Sequence, residues 1–281
     1  MDLTQRKITG TLSLDVVARR QQSIPQDAYF QGAFKLMRPQ HLDDTGQLMY
    51  CLLNPGGGYL DGDRYQMDIR VHDTADLYLT AQSATKIYKT PKDQVRQDCQ
   101  IEVGDQGILE FTADPIIPFQ DARYTQDQII HLKATSALFL SEVLTPGWSQ
   151  DMQGFQYDYL NLRTRIYLAD KLQVWDALVL EPKVKPIHTV GLFADYTHYG
   201  SIYIVHPLID PEVEAKFETI ITDNHPEVYA GISQLNFPGL AIRILGNGTE
   251  LYKRRLIAVK SCFVRRCWAG KTRCLKNIEK V

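Results

Sequence analysis

The chain is poor in cysteine and has none in a CxxC pair: Cys51, Cys99, Cys262, Cys267 and Cys274 are all it has in 281 residues. An odd number without paired spacing excludes a disulfide framework as the basis of the fold. It also leaves no local zinc signature, although Cys262, Cys267 and Cys274 cluster near the C-terminus. The histidines (His41, His72, His131, His188, His198, His206, His225) are dispersed, with no HxxxH or HxH among them, and no GxSxG supports a serine hydrolase. No apolar run approaches the roughly 20 residues of a membrane-spanning helix. The opening MDLTQRKITGTLSLDVV has scattered charges and no apolar h-region, so neither membrane insertion nor secretion is expected, and the cytoplasm is the expected address. There is no low-complexity tract, no repeat of fixed length and no long linker. One domain over residues 1–281 is therefore expected, although the length alone would also permit two.

What is present is an average globular composition, 44% hydrophobic and 23% charged, which excludes global disorder. The formal net charge of −2 hides an asymmetry: residues 253–281 carry +9 and the rest of the chain −11. Such a tail suits an acidic partner, an acidic membrane surface or nucleic acid. Without an RNP-like aromatic motif or zinc-finger spacing, nucleic acid is the weaker reading.

Alternation with period two runs through most of the chain. Leu12, Leu14 and Val16 show it, as do Met67, Ile69 and Val71, then Leu77 and Leu79, Ile101 and Val103, and the stretch from Phe155 to Leu180. Turns such as Gly104-Asp105-Gln106-Gly107 and Thr145-Pro146-Gly147 punctuate it. Strands following strands without long helices predict a mainly β chain of stacked or sandwiched sheets. Two segments differ. Pro211-Glu212 opens a helical spacing of Val213, Phe217, Ile220 and Ile221. Leu251, Arg255, Val259, Phe263 and Cys267 recur every four residues, with Thr249 placed to cap that helix and Gly270 to stop it.

Three segments carry unusual chemistry. Asn54-Pro55-Gly56-Gly57-Gly58-Tyr59-Leu60-Asp61-Gly62-Asp63-Arg64 is rich in glycine, but no GK[ST] follows and a strand pattern, not a helix, comes next. A tight strand-connecting turn fits better, with Asp63 holding backbone amides and Arg64 paired to an acid. Leu79 to Lys89 has small residues on both faces of an expected strand, and its Ser83/Lys86 spacing lacks the partner boxes of an SxxK enzyme. Leu109 to Tyr124 sets Pro115 and Pro118 around Ile116 and Ile117, beside the carboxylates Glu110 and Asp114. No catalytic constellation emerges, and an enzyme is not expected.

In this order, the three segments resemble the urease accessory protein family UreD, also called UreH. The family's GGxxGGDR-type, TxxAATK-Y-type and LE-x-x-P-x-x-IPF-x-x-A-R-type segments read here as Gly57 to Arg64, Thr80 to Tyr88 and Leu109 to Arg123. Asp61 and Ser83 depart from the pattern, and so does Gln153, where a carboxylate is usual. The resemblance implies stacked β-sheets in a β-helix-like arrangement with two helices in the C-terminal half. It also implies an assembly factor that binds apo-urease with UreF and UreG and assists nickel delivery. No tightly bound cofactor is implied, only transient nickel carried along an internal polar path. Gly57, Gly58, Gly62, Asp63, Arg64, Thr80, Thr85, Lys86, Ile117, Pro118, Phe119 and Arg123 are then candidates for partner binding or for the architecture behind it. Asp63, Glu110, Asp114 and Glu142 are the candidate metal-handling carboxylates, since a divalent ion needs polar stepping points to cross a protein interior. Two other readings stay open: a β-rich metal-dependent hydrolase using Glu110, Asp114 and a distant histidine, and a nucleic-acid-binding module using the basic tail at about 249–281.

Overall fold

The computed structural model describes residues 7–221 and 227–267, with the side chains of the last helix described as far as Ser261. The chain begins with a hairpin, β1 (Gly10–Arg19) and β2 (Gln22–Gly32), and the short β3 (Lys35–Leu36). It then winds through β4 (Leu48–Leu53), β5 (Arg64–Val71), β6 (Asp76–Ala81), β7 (Thr85–Ile87), β8 (Val95–Val103), β9 (Ile108–Thr112), β10 (Ile116–Pro118), β11 (Arg123–Leu132), β12 (Ala137–Leu144) and β13 (Tyr159–Leu168). It closes with β14 (Lys171–Leu180), β15 (His198–Val205), α1 (Pro211–Ile221), β16 (Val228–Gln234), β17 (Gly239–Gly246) and α2 (Thr249–Cys267).

The winding is a β-solenoid. One sheet has the order β14-β13-β11-β8-β5-β1-β2 and the other β16-β17-β15-β12-β9-β6-β4-β3, while β7 and β10 pair along a short third side. Within the coils the pairs are parallel, so each side chain stacks on its counterpart one coil away. Leu14, Ile69, Ile101, Ile130 and Ile166 form one such row in the first sheet. Leu48, Leu77, Leu109 and Leu138 form its counterpart in the second. All nine are at most 1% exposed, and each such burial contributes about 1.5–3 kcal/mol. The alternation in the sequence is thus the alternation between these inner rows and the outside.

The coils exist as a stack but not as a sequence repeat. Register steps from Arg64 to Arg96 and then, one residue along, from Val95 to Tyr124 differ in length, because the turns between strands differ. Corners compensate with hydrogen bonds from coil to coil: the Asp105 amide donates to Asp73 Oδ1 at 2.8 Å and Thr135 Oγ1 donates to Asp105 Oδ1 at 2.8 Å. Gly104 is required there, since a Cβ would lie 2.7 Å from the Asp73 backbone nitrogen.

Both expected helices are present, over Pro211–Ile221 and from Thr249. Pro211 occupies the first helical position and Asp210 Oδ1 accepts the Val213 amide at 2.8 Å, an N-terminal cap. Val213, Phe217 and Ile221 are buried against Phe139, Ile202, Ile204 and Ile242 on the outer face of the second sheet. Tyr252 and Val259 of α2 join that cluster, and the Arg255 guanidinium ties α2 to α1 by donating to the Ile220 carbonyl at 2.9 Å. Tyr252 lies over Gly200, where any Cβ would overlap its ring. The side chains of Cys262, Phe263, Arg265, Arg266 and Cys267, the stop at Gly270 and the rest of the basic tail lie outside the described residues. One correction concerns the stretch from Phe155 to Leu180. Phe155 and Tyr157 precede β13 and are buried without strand structure, while Val174 and Val179 point to opposite faces, Val179 outward.

Candidate functional site

Parallel stacking makes the inner rows decide what the interior is. Several are wholly apolar, but two neighbouring rows change character from coil to coil: Tyr65 on β5 stacks on Gln97 of β8, and Gln97 on Gln126 of β11. Beside it Met67 stacks on Cys99, and Cys99 on Gln128. The polar members are joined. Tyr59 Oη donates to Gln97 Oε1 at 2.7 Å, and Gln97 Nε2 donates to Gln126 Oε1 at 3.4 Å. Tyr124 Oη donates to the same Gln126 Oε1 at 2.8 Å. Gln126 Nε2 then donates to Glu142 Oε1, which also accepts Gln128 Nε2 at 3.3 Å.

At one end, the Tyr65 ring stacks on Tyr59 with centroids 3.8 Å apart, and its hydroxyl donates to Asp63 Oδ2 at 2.9 Å. At the other, Glu142 of β12 lies near Asp176 and Arg243. Burial pushes the Glu142 carboxyl up to about 7, against the opposing pull of the Gln126 amide. Glu142 and Gln97 point inward yet are not fully buried, so this row borders space that water reaches. The row of hydroxyls, amides and carboxylates offers exchangeable oxygen ligands without a tight cage, an arrangement that can pass a hard or borderline cation and cannot hold one firmly.

The four candidate carboxylates divide into two groups. Asp63 and Glu142 belong to the inner row. Glu110 is on the outer face of the second sheet, 2% exposed, with Lys260 Nζ of α2 at 2.9 Å and Gln47 Nε2 at 2.9 Å. Lys260 also lies 3.7 Å from the Tyr78 ring centre. Glu110 therefore anchors α2. Asp114 shares that neighbourhood: burial raises its pKa and Lys253 of α2 opposes the rise. Among the described residues no three His, Cys, Asp or Glu side chains come together as a metal site, and the trio of Glu110, Asp114 and a histidine needed for a hydrolase does not form.

Most of the motif residues converge on the third side. Asp63 accepts the Leu60 amide at 2.7 Å and Thr9 Oγ1 at 3.0 Å, while Arg64 pairs with Asp93 at 3.4 Å, the tight turn expected of that segment. Gly57 and Gly62 adopt φ of 77° and 81°. Thr85, Lys86 and Ile87 pair with Ile116, Ile117 and Pro118, and the Lys86 carbonyl accepts the Tyr59 amide at 2.7 Å. The Arg123 amide donates to Thr90 Oγ1 at 2.8 Å, and its guanidinium bonds the Thr90 carbonyl. Along this ridge Tyr88, Phe119 and Trp148 form an aromatic row, with centroids 4.7 and 5.0 Å apart and Trp148 nearly half exposed. Thr80 stands apart on β6, in register with Cys51 and Thr112.

The profile of the UreD urease accessory protein family matches residues 9–280. The chain belongs to that family. The urease accessory protein UreD of Staphylococcus aureus strain RF122 is 36% identical over 261 residues, covering 92% of this chain and 94% of the relative. Its counterpart in Staphylococcus epidermidis strain ATCC 12228 is 37% identical over the same length. As a UreD family member the chain is an accessory protein and not an enzyme, in agreement with the motif reading. No helix among the described residues is long and apolar enough to cross a membrane.

Sequence reasoning missed Tyr59, Gln97, Gln126 and Gln128, and beyond them Asp176, Tyr203 and Arg243. A signal was present for the glutamines. Gln97 shares the parity of Cys99, Ile101 and Val103, and Gln126 and Gln128 share that of Ile130 and Leu132. Polar residues in the inward set of a strand mark an interior that is not dry.

Proposed function

We propose that this UreD protein acts in the cytoplasm, binds apo-urease together with UreF and UreG, and conducts nickel through its interior toward the urease active site. The observation that carries this reading is the inner row from Asp63 through Tyr65, Tyr59, Gln97 and Gln126 to Glu142, polar and water-bordered inside a largely apolar solenoid. Nickel is cargo here. A divalent ion stepping along this row exchanges one oxygen ligand for the next, so no single site has to release it from a deep well. The ridge of Tyr88, Phe119 and Trp148 supplies exposed aromatic surface of the kind that anchors protein partners.

The test separates passage from assembly. Co-expression of urease with Glu142→Gln or Asp63→Asn variants should leave the accessory complex intact in a pull-down and yield urease short of nickel. Normal nickel content in urease matured by both variants would refute the conduit.

A further inference from the structure

The inner polar row continues past Glu142 to a charged cluster bridging the two sheets at the C-terminal end of the coils. Asp176 belongs to β14 of the first sheet, and Arg243 to β17 of the second. Arg243 Nη2 donates to Asp176 Oδ2 at 2.8 Å and also contacts Tyr203 Oη. Tyr203 Oη donates to the same Asp176 oxygen at 2.7 Å, and the guanidinium carbon lies 4.9 Å from the Tyr203 ring centre. The Asp176 and Arg243 side chains are each about one-third exposed, at 31% and 34%. The row therefore reaches solvent here, and a fixed positive charge sits in its mouth.

A guanidinium does not deprotonate in a protein, so this charge can be cleared only by moving the side chain. A divalent cation beside Glu142 faces it across a medium poorer than water in screening. With Arg243 seated, its charge cancels that of Asp176 and the mouth offers a cation no net attraction; with it withdrawn, Asp176 and Glu142 attract it. We propose that Arg243 is a counter-ion gate: its guanidinium holds the place of a divalent cation on Asp176, and cations cross this end of the inner row only when it leaves. The inference rests on the conduit reading and adds a positioning residue to it.

The test is equilibrium dialysis of Ni²⁺ against the purified full-length chain. Arg243→Met should bind Ni²⁺ about tenfold more tightly than wild type, a change of about 1.4 kcal/mol. Adding Asp176→Asn should abolish the gain, and Arg243→Lys, which keeps the charge, should stay near wild type. A purely structural role for Arg243 would weaken every variant alike. The gate is overturned if Arg243→Met keeps a wild-type circular dichroism spectrum and binds no more tightly, or if Asp176→Asn leaves the gain intact. Should Arg243→Met not fold, Arg243→Gln, which keeps polar contacts and removes the charge, is judged by the same criterion. Nickel content of urease matured with Glu142→Gln judges the conduit separately, so failure of the gate and failure of the conduit are told apart.

Discussion

Replacing Glu142 by glutamine should make the protein more stable above neutral pH while removing the role proposed for it in passing nickel. The carboxyl has a pKa of about 7 in the fold against 4.5 as the ordinary value. Desolvation causes the rise; the Gln126 amide opposes it, Asp176 adds to it and Arg243 subtracts from it. Between those two values the native state keeps a proton that the unfolded chain has lost, so stability is fully present below 4.5 and falls as pH rises through 7. The interval corresponds to at most about 3 kcal/mol, an upper bound because Glu142 still touches water. Glutamine fills the same space and never ionises. Thermal unfolding of both proteins from pH 4.5 to 8.5 should therefore give curves that meet near the acid end and diverge upward. At pH 8 the variant should melt higher by up to roughly 10 °C, since 1 kcal/mol moves a chain of this size by about 2–4 °C. A difference that stays flat across the range, or a variant that is less stable at pH 8, would show that Glu142 is not held neutral by its surroundings.

Gly57 and Gly58 should respond differently to alanine. Gly57 has open space and should lose only the roughly 1 kcal/mol of its left-handed backbone, whereas a Cβ at Gly58 lies 2.6 Å from the Tyr88 ring and 2.8 Å from the Lys86 carbonyl, adding an overpacking cost of about 1–3 kcal/mol. Urea denaturation of both variants decides this, and equal midpoints would remove the close-packing argument. Lys260→Met should cost about 3 kcal/mol by leaving the Glu110 carboxylate without its ammonium, and adding Glu110→Gln should recover much of the loss; additive losses in that double-mutant cycle would show the pair is not coupled. Truncation after Gly248 should weaken capture of UreF and urease far more than neutralising the exposed Arg254, because it uncovers the apolar face under Tyr252 and Val259. A pull-down at low and high salt with equal capture by the truncation and wild type would place the partner surface elsewhere.

The β character, the two helices and the third-side segments were legible because each rests on a local pattern. Period two marked β5, β6 and β8, and the four-residue spacing marked α1 and α2. The motif segments were adjacent in meaning before they were adjacent in space. The solenoid winding was not legible from the residues themselves, because unequal turns erase any fixed repeat; it came from the family resemblance. Face was harder than existence. Glu110 sits one residue from Leu109 and Phe111, so parity assigns it outward, but only the position of α2 reveals that outward is covered and that Lys260 waits there. Arg243 and Asp176 lie 67 residues apart and meet across two sheets, a contact that no local spacing announces.

The way the two sheets begin and end has a consequence for the solution state. A stack of parallel coils is in effect a short length of fibre, and its last parallel strand would offer a ready template for the next molecule. Among the described residues all four margins are instead occupied by antiparallel strands: β2 and β3 at one end, β14 and β16 at the other. The β1–β2 pair carries a bulge between Asp15 and Val16, with Pro25 in β2 opposite Val16, which twists that rim and removes a donor from its strand. The hairpin thus closes one end of the first sheet. Removing it leaves β5 as a bare parallel edge while β14 and β16 still cap the far end, so the shortened protein should pair edge to edge into dimers, which sedimentation would detect, and grow no further.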